Sequence, residues 1–162
     1  GNYAHGNQPI QHMIYLYDYA GQPWKAQYWL REVMNRMYTA GPDGYCGDED
    51  NGQTSAWYVF SALGFYPVCP EYILGAPLFK KATLHFENGK NLVITASDNS
   101  DTNRYVDEMR VNGTVYTKNY LKHNELLQGG TIDFKMTDRP NMQRGTQESD
   151  LPYSFSKDEK VK

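Results

Sequence analysis

Three consecutive acidic residues form the part of the sequence best suited to chemistry. Asp48, Glu49 and Asp50 lie between Gly47 and Gly52, just ahead of an apolar run. A helix N-terminus keeps nearby carboxylates ionised through its free N–H groups and its dipole. An ionised carboxylate on a rigid loop suits a general base that activates water. The competing interpretation is a solvated acidic turn that only caps the helix. A calcium loop of the EF-hand type is discarded, because its later Glu is missing at the required spacing.

A second candidate is the segment Gly6-Asn7-Gln8-Pro9, which has His5 and His12 beside it. The amide oxygens of Asn7 and Gln8 can bind hard cations, and the same groups can hydrogen-bond sugar hydroxyls. The alternative is a helix cap with two incidental histidines. Zinc is not expected, since the two histidines lack the i, i+4 spacing of a helical zinc pair.

The composition limits the classes of protein to be considered. The 162 residues are 40% hydrophobic and 22% charged, as in globular domains. The net charge of −3 argues against a nucleic-acid-binding surface, which needs a basic face. No stretch approaches the roughly 20 apolar residues of a membrane span, and no signal peptide is recognisable at the N-terminus. Cys46 and Cys69 allow one disulfide, and the sequence leaves their redox state open.

The first half predicts helices that carry both candidate segments. Asn7-Gln8-Pro9 is typical of a helix start, and Gly21 of a helix end. A second helix begins at Gln22-Pro23. The apolar stripe predicted for the first helix consists of Ile10, Met13, Ile14 and Tyr17, and that for the second of Leu30, Val33, Met34 and Met37. The charged and polar residues placed largely off the second stripe are Lys25, Arg31, Glu32, Asn35 and Arg36.

A Gly-rich loop over 41–52 precedes a third predicted helix, from Ala56 to Leu63. Thr54 or Ser55 is expected to cap it, and Gly64 to end it. Because this helix is apolar nearly all round, we expect it to be buried inside a larger assembly. Three such helices cannot complete a helical domain, so this half is a fragment or packs tightly on the rest of the chain.

The second half predicts strands. A hairpin is expected over 83–96 around Asn88-Gly89, which favours a type I′ turn. Asn112-Gly113 repeats the signal, and apolar residues alternate over 131–136. The expected fold class is α+β, with N-terminal helices over 1–70, a small antiparallel β-sheet or sandwich over 71–156, and a disordered tail over 157–162.

Several longer segments of the sequence resemble the motifs of a known protein family. They are Gly6-Asn7-Gln8-Pro9, residues 20–25, Pro42-Asp43-Gly44, residues 47–67, residues 75–79 and Arg139-Pro140-Asn141. Together they resemble the C-terminal part of glycoside hydrolase family 92, the calcium-dependent α-mannosidases. The block over 47–67 is long and highly specific. It favours the interpretation of the acidic run as a general base over that of a simple acidic turn.

The resemblance implies a fold, an activity and a set of site residues. Residues 1–70 would be the last helices and the catalytic loop of an (α/α)₆ barrel, which the family pairs with an N-terminal β-sandwich. The activity would be inverting removal of terminal α-mannose, with α-1,2 as the expected linkage, from mannose-containing glycans. Asp50 would be the general base and Asp48 its neighbour or helper. Asn7 and Gln8 would contribute to a Ca²⁺ site, and His5 and His12 would contact the sugar. Family habit also implies a periplasmic or extracellular location.

Three departures from the family pattern bear on these expectations. The family usually has Glu at the position of Gln8, so the metal site lacks one negative charge. Of a common His pair only His12 remains, with Gln11 in the other place. The loop over 69–72 is a few residues shorter than expected.

No acid in this chain matches the family's general acid, which lies upstream. The remainder of the parent polypeptide would therefore be needed for activity, and the fragment alone is expected to be inactive. The alternatives are a non-catalytic carbohydrate-binding or interaction module, or a relative reduced to a scaffold by Gln8.

Overall fold

The architecture combines helices and sheets in a computed structural model that describes residues 3–68 and 70–158. The α-helices are α1 (Leu16–Tyr19), α2 (Pro23–Arg36), α3 (Gln53–Leu63) and α4 (His123–Leu126). Short 3₁₀ helices lie at Gln8–Ile10, Met13–Tyr15, Glu148–Asp150 and Phe155–Lys157. The strands are β1 (Phe65–Val68), β2 (Glu71–Leu74), β3 (Lys81–His85), β4 (Asn91–Thr95), β5 (Tyr105–Val111), β6 (Thr114–Val115), β7 (Tyr120–Leu121) and β8 (Gly130–Thr137).

The strands form two sheets. One has the order β1-β2-β7, and the other the order β3-β4-β8-β5-β6. The expectation of a purely antiparallel unit is wrong at one pair, because β4 and β8 are parallel. Between these two strands the chain passes through β5, β6, β7 and α4, which gives it enough length to return in the same direction. The mixture of helices and sheets agrees with the expected class.

The two predicted Asn-Gly turns differ. Asn112 and Gly113 both have left-handed backbones, with φ of 49° and 79°, as a type I′ turn requires. At the first hairpin only Gly89 is left-handed, with φ of 78°, and its N–H donates to the Phe86 carbonyl at 3.0 Å. The prediction of a type I′ turn is therefore wrong there; the hairpin uses a type I turn followed by a left-handed glycine.

The first predicted helix is broken into two 3₁₀ turns and the single α-turn of α1. Its buried face has the predicted spacing but is displaced by one residue. The buried positions are Gln11, Ile14, Tyr15 and Asp18, whereas Met13 and Leu16 are exposed. The prediction missed this face because two of its four members are polar, and their burial depends on partners elsewhere in the chain.

Helix α3 begins earlier than expected and has a different cap. It starts at Gln53, with Gly52 as the N-cap at φ of 100° and no side-chain cap from that residue. Trp57 is fully buried, while Val59 on the opposite side is 55% exposed. Within this chain the helix is thus covered on one side only.

Helix α2 joins the helices to the sheets through a buried arginine. Arg31 was expected off the apolar stripe, but it is 1% exposed. Its guanidinium donates to the Pro77 carbonyl at 3.0 Å, the Asn99 Oδ1 at 2.6 Å and the Ser100 carbonyl at 3.0 Å. A buried charge is tolerated when it is hydrogen-bonded in this way. The helical residues therefore pack directly on the β residues, as one of the two sequence-based alternatives required.

The predicted boundaries lie in regions that the structure describes only partly. The division at residue 70 stays a prediction; the strands on either side of it, β1 and β2, are paired. Of the predicted tail, Lys157 ends a 3₁₀ helix and pairs with Glu148 at 2.5 Å, while 159–162 lie outside the described residues. Cys46 is a free, exposed cysteine, and Cys69 also lies outside the described residues. Among the residues that are described, no helix is long and apolar enough to cross a bilayer.

Candidate active site

The two candidate segments meet at a pair of glycines. A Cβ atom added to Gly47 would lie 2.7 Å from the Gly6 Cα and 2.8 Å from the Gly6 carbonyl oxygen. A Cβ atom added to Gly6 would lie 2.8 Å from the Cys46 carbonyl oxygen. Because these neighbours are backbone atoms, no side chain fits at either position without moving one segment. The contact places Asn7 and Asp48, each one residue further along, at the same junction.

Beside this junction lies an open groove of about 470 Å³. Its lining includes Tyr3, Asn7, Met37, Cys46 and Gly47. The wall thus combines a phenol, an amide, a thioether and backbone groups. Rings and amides of this kind can meet both the apolar face and the hydroxyls of a sugar.

The acidic loop presents two carboxylates that no other described residue binds. Asp48 is exposed and Asp50 is half-buried. Neither side chain makes a hydrogen bond or an ion pair with another residue in 3–68 or 70–158. Both lie just ahead of α3. The loop can therefore offer charged acceptors to a water or a ligand.

The backbone of the loop is fixed from the helix side. The Thr54 hydroxyl donates to the Asp48 carbonyl at 2.9 Å. The Glu49 carbonyl accepts the Thr54 N–H at 3.1 Å, and the Asp50 carbonyl accepts the Gln53 N–H at 3.2 Å. Each acidic residue in the run is thus tied to the first turn of α3 through its main chain.

His5 lies behind the junction in a closed hydrogen-bond chain. Its Nδ1 is 2.7 Å from the Tyr3 hydroxyl, and its Nε2 is 2.6 Å from the Tyr38 hydroxyl. The Tyr38 hydroxyl donates its one proton to the Thr54 carbonyl at 3.1 Å, so it must accept from His5. The proton of His5 therefore sits on Nε2, and Nδ1 accepts from Tyr3. Trp57 packs edge-on against the imidazole at 4.2 Å between ring centres.

Burial keeps this imidazole neutral. His5 is 1% exposed, and its burial lowers its pKa to about 4. Both ring nitrogens are already bonded within the protein. His5 is among the residues that line the groove, and its ring nitrogens connect Tyr3 and Tyr38 there. Its contact with the sugar stays a prediction.

Gln11 joins the same network, and sequence reasoning missed its role. Its Nε2 donates to the His5 carbonyl at 3.1 Å and to the Thr54 Oγ1 at 3.3 Å. The main-chain carbonyl of Gln11 accepts the Trp57 indole N–H at 3.0 Å. The sequence signal was the i, i+3, i+7 spacing that Gln11 shares with Ile14 and Asp18, which a count of apolar residues passes over.

The remaining predicted residues are exposed. Asn7, Gln8 and His12 are all exposed; Gln8 begins the 3₁₀ helix Gln8–Ile10, and Asn7 and His12 lie on either side of it. The described residues contain no group of three or more His, Cys, Asp or Glu that could hold a metal. Calcium takes six to eight oxygen ligands, and Asn7 and Gln8 supply two neutral ones. The described residues of this chain do not, by themselves, form a calcium site.

Comparison with protein families gives one match. The model of the glycosyl hydrolase family 92 catalytic domain matches residues 1–138. A curated relative, an uncharacterized secreted glycosidase of Arthroderma benhamiae, is 27% identical over 155 residues, which cover 93% of this chain and 20% of that protein.

Solved structures with the same fold include two from Bacteroides thetaiotaomicron. One is the family GH92 inverting mannosidase BT2199, which is 62% identical with a TM-score of 0.91. The match covers 97% of this chain and 22% of that one. The other is the family GH92 α-mannosidase BT3965 in complex with mannoimidazole, 42% identical with a TM-score of 0.90, over 93% of this chain and 20% of that one. The chain thus spans about a fifth of the length of the relatives that it matches.

Proposed function

Because the chain belongs to glycosyl hydrolase family 92, we propose that it is the catalytic-loop portion of an inverting exo-α-mannosidase. Its similarity to an inverting mannosidase at 62% identity supports this proposal. The substrates would be mannose-containing glycans. Since the chain spans about a fifth of such relatives, the activity would belong to the complete polypeptide that contains it.

In this proposal Asp50 is the general base. An inverting glycosidase needs a carboxylate that removes a proton from water on the face of the sugar opposite the leaving group. The observation that carries the assignment is the half-buried Asp50 side chain, without a hydrogen-bond partner among the described residues, on a loop fixed to the first turn of α3. A carboxylate in its ionised form is the group that accepts the proton in such a step.

Asp48 is proposed as the neighbouring helper. Its carbonyl is held by Thr54, while its side chain faces solvent one residue from the contact between Gly6 and Gly47. The general acid would come from outside this chain, about 6.5–9.5 Å from the base, which leaves room for the water. For this reason we expect the isolated chain to release no mannose.

Calcium stays a proposal for the complete polypeptide. The exposed amide oxygens of Asn7 and Gln8 are suitable donors, but the other ligands would have to lie outside this chain. No step of the proposed proton transfer passes through the metal. His12, exposed beside these amides, remains a proposed sugar contact.

The finer features of the fold and substrate are proposals of the same kind. We propose that α2 and α3 belong to an (α/α)₆ barrel that upstream helices complete, in keeping with the exposed side of α3. We propose α-1,2 as the linkage cleaved. The secreted relative supports a periplasmic or extracellular location.

The test of Asp50 uses the complete polypeptide. We expect Asp50→Asn to lower turnover of an aryl α-mannoside by about 10²–10⁴-fold, because general base catalysis contributes that much. Binding of mannoimidazole, measured by calorimetry, should stay within a few fold. Initial products followed by NMR should show the anomer of inverted configuration.

The matched control is Asp43→Asn, which changes an exposed carboxylate of the same loop outside the acidic run. It should leave turnover unchanged. If Asp50→Asn keeps turnover within tenfold of the parent, Asp50 is not the base. A carbohydrate-binding module would give no turnover in any variant and no loss of sugar binding.

A further inference from the structure

Glu49, the middle residue of the acidic run, binds the N-terminus of α3 with its side chain. The Glu49 carboxylate accepts the Gly52 N–H, the Ser55 hydroxyl at 2.5 Å and the Ser55 N–H at 3.3 Å. These are donors of the α3 N-terminus, where the first N–H groups have no partner within the helix. Glu49 therefore performs the capping that the sequence assigned to Thr54 or Ser55. These hydrogen bonds, the Ser55 hydroxyl first, lower the pKa of Glu49.

The backbone between Glu49 and the helix is unusual. Asp50 and Asn51 have φ of 57° and 56°, followed by Gly52 at 100°. The left-handed conformation is less favourable for residues with a Cβ than for glycine; Asp and Asn adopt it more readily than most, but usually as single residues rather than in succession. The Glu49 side chain spans this segment, since it is bonded at Gly52 and Ser55 on its far side.

The hydrogen bonds of Glu49 with the start of α3 also affect which carboxylates of the acidic run stay free. The donors at the start of α3 are attractive partners for any nearby acid, because Asp is among the preferred capping residues. With Glu49 bound there, Asp48 and Asp50 make no hydrogen bonds with other described residues. An Asp50 that capped the helix would be turned towards the protein and would be a weaker base.

We propose that Glu49 is a positioning residue for the hydrolytic reaction: it occupies the helix N-terminus, holds the left-handed turn, and so keeps the Asp50 carboxylate directed at the attacking water. This inference rests on the proposed function, in which Asp50 is the general base. It assigns different tasks to three adjacent acids, and Glu49 acts only through Asp50.

The experiment measures kcat and KM for an aryl α-mannoside in the complete polypeptide. Glu49→Ala is expected to lower kcat by about 10–100-fold, because a displacement of about 1 Å in a reacting group has effects of that size. KM should change by less than about threefold, since Glu49 does not contact the sugar in this account. Glu49→Gln keeps an acceptor oxygen, so its kcat should lie between that of the parent and that of Glu49→Ala. It also carries the test if Glu49→Ala does not fold. Glu87→Ala, in the exposed first hairpin turn, is the control and should match the parent.

A double variant separates positioning from general stability. In the Asp50→Asn background, Glu49→Ala should cause no further loss of kcat, because the group through which it acts is gone. Asn51→Gly should restore part of the kcat of Glu49→Ala, since glycine adopts the left-handed turn without restraint.

The outcomes distinguish this inference from the function on which it rests. A kcat for Glu49→Ala within twofold of the parent, or a full additional loss in the Asp50→Asn background, overturns the positioning role while Asp50 remains the base. Retained turnover in Asp50→Asn overturns the base assignment, and the positioning role falls with it.

Discussion

The helices over 8–63 bury polar side chains beside an apolar cluster, whereas the strands over 65–137 bury apolar side chains. Behind the candidate site the helical part buries His5, Gln11 and Thr54, all of them hydrogen-bonded. The strands bury apolar side chains. Those of β4 and β8 are Leu92, Ile94, Ile132, Phe134 and Met136. A buried polar network fixes one arrangement, because every partner must be satisfied, whereas apolar packing tolerates small changes. In the part that carries the acidic loop, directional bonds thus add to the apolar packing.

Two glycines, one from each part, are required for different reasons. Gly47 is required because the backbone of Gly6 lies against it. Gly89 has nothing within 4 Å of an added Cβ, and is required only for its φ of 78°. A side chain at the first would move a functional segment, while a side chain at the second strains one turn. Glycine thus allows a close backbone approach at residue 47 and a left-handed turn at residue 89.

Of these two glycines, Gly47 should therefore have the larger effect on activity when it is changed to alanine. We expect about a 100-fold loss of kcat/KM in the complete polypeptide, since separation of the two segments displaces Asp48 and Asp50. Gly89→Ala should leave kcat/KM unchanged and lower the free energy of unfolding by about 1–2 kcal/mol. Enzyme assays and denaturant unfolding of both variants make the comparison.

Gly41→Ala is the control within the loop, because nothing lies within 4 Å of its added Cβ. It should change neither quantity. If Gly47→Ala retained parental kcat/KM, the close glycine contact would not determine the geometry of the site.

The pH dependence of stability should reveal the buried network with a smaller effect. The pKa of His5 is about 4 in the folded chain, against 6.5 ordinarily, so the unfolded chain binds the proton more tightly. Its contribution to stability is complete above pH 6.5 and is lost as the pH falls towards 4. The loss approaches about 1.4 kcal/mol per pH unit within that window.

The measurement compares the parent with His5→Phe between pH 7 and pH 5 by denaturant unfolding. The difference isolates His5, because other titrating groups are common to both proteins. Equal slopes in the parent and His5→Phe would show that His5 is not held neutral.

The β part was predictable because its signals are local. Alternation along β8 places Ile132, Phe134 and Met136 on one buried face, as predicted. Turn residues placed the hairpins correctly, although the type of the first turn was wrong. The parallel pairing of β4 with β8 was missed, since no local pattern records which distant strands become neighbours.

The helical part was predicted less well because its buried positions include polar residues. Hydrophobic spacing found the second helix, but it misplaced Arg31 and displaced the buried face of the first by one residue. Polar residues are buried when partners arrive from other segments, as Asn99 does for Arg31. Such partners cannot be read from the helix itself.

For the candidate site, the acidic loop and its position ahead of a helix followed from residue types and spacing. The separate task of Glu49 did not, because three adjacent acids are indistinguishable until the backbone assigns their directions. Nor did the burial of His5, whose partners Tyr3 and Tyr38 lie 2 and 33 residues away.

The most direct measurement is a crystal structure of the complete polypeptide with mannoimidazole. The account predicts an Asp50 carboxylate oxygen about 2.6–3.2 Å from a water that faces the anomeric carbon, on the side opposite the leaving group. An Asp50 side chain directed into bulk solvent, with another acid holding that water, would contradict it.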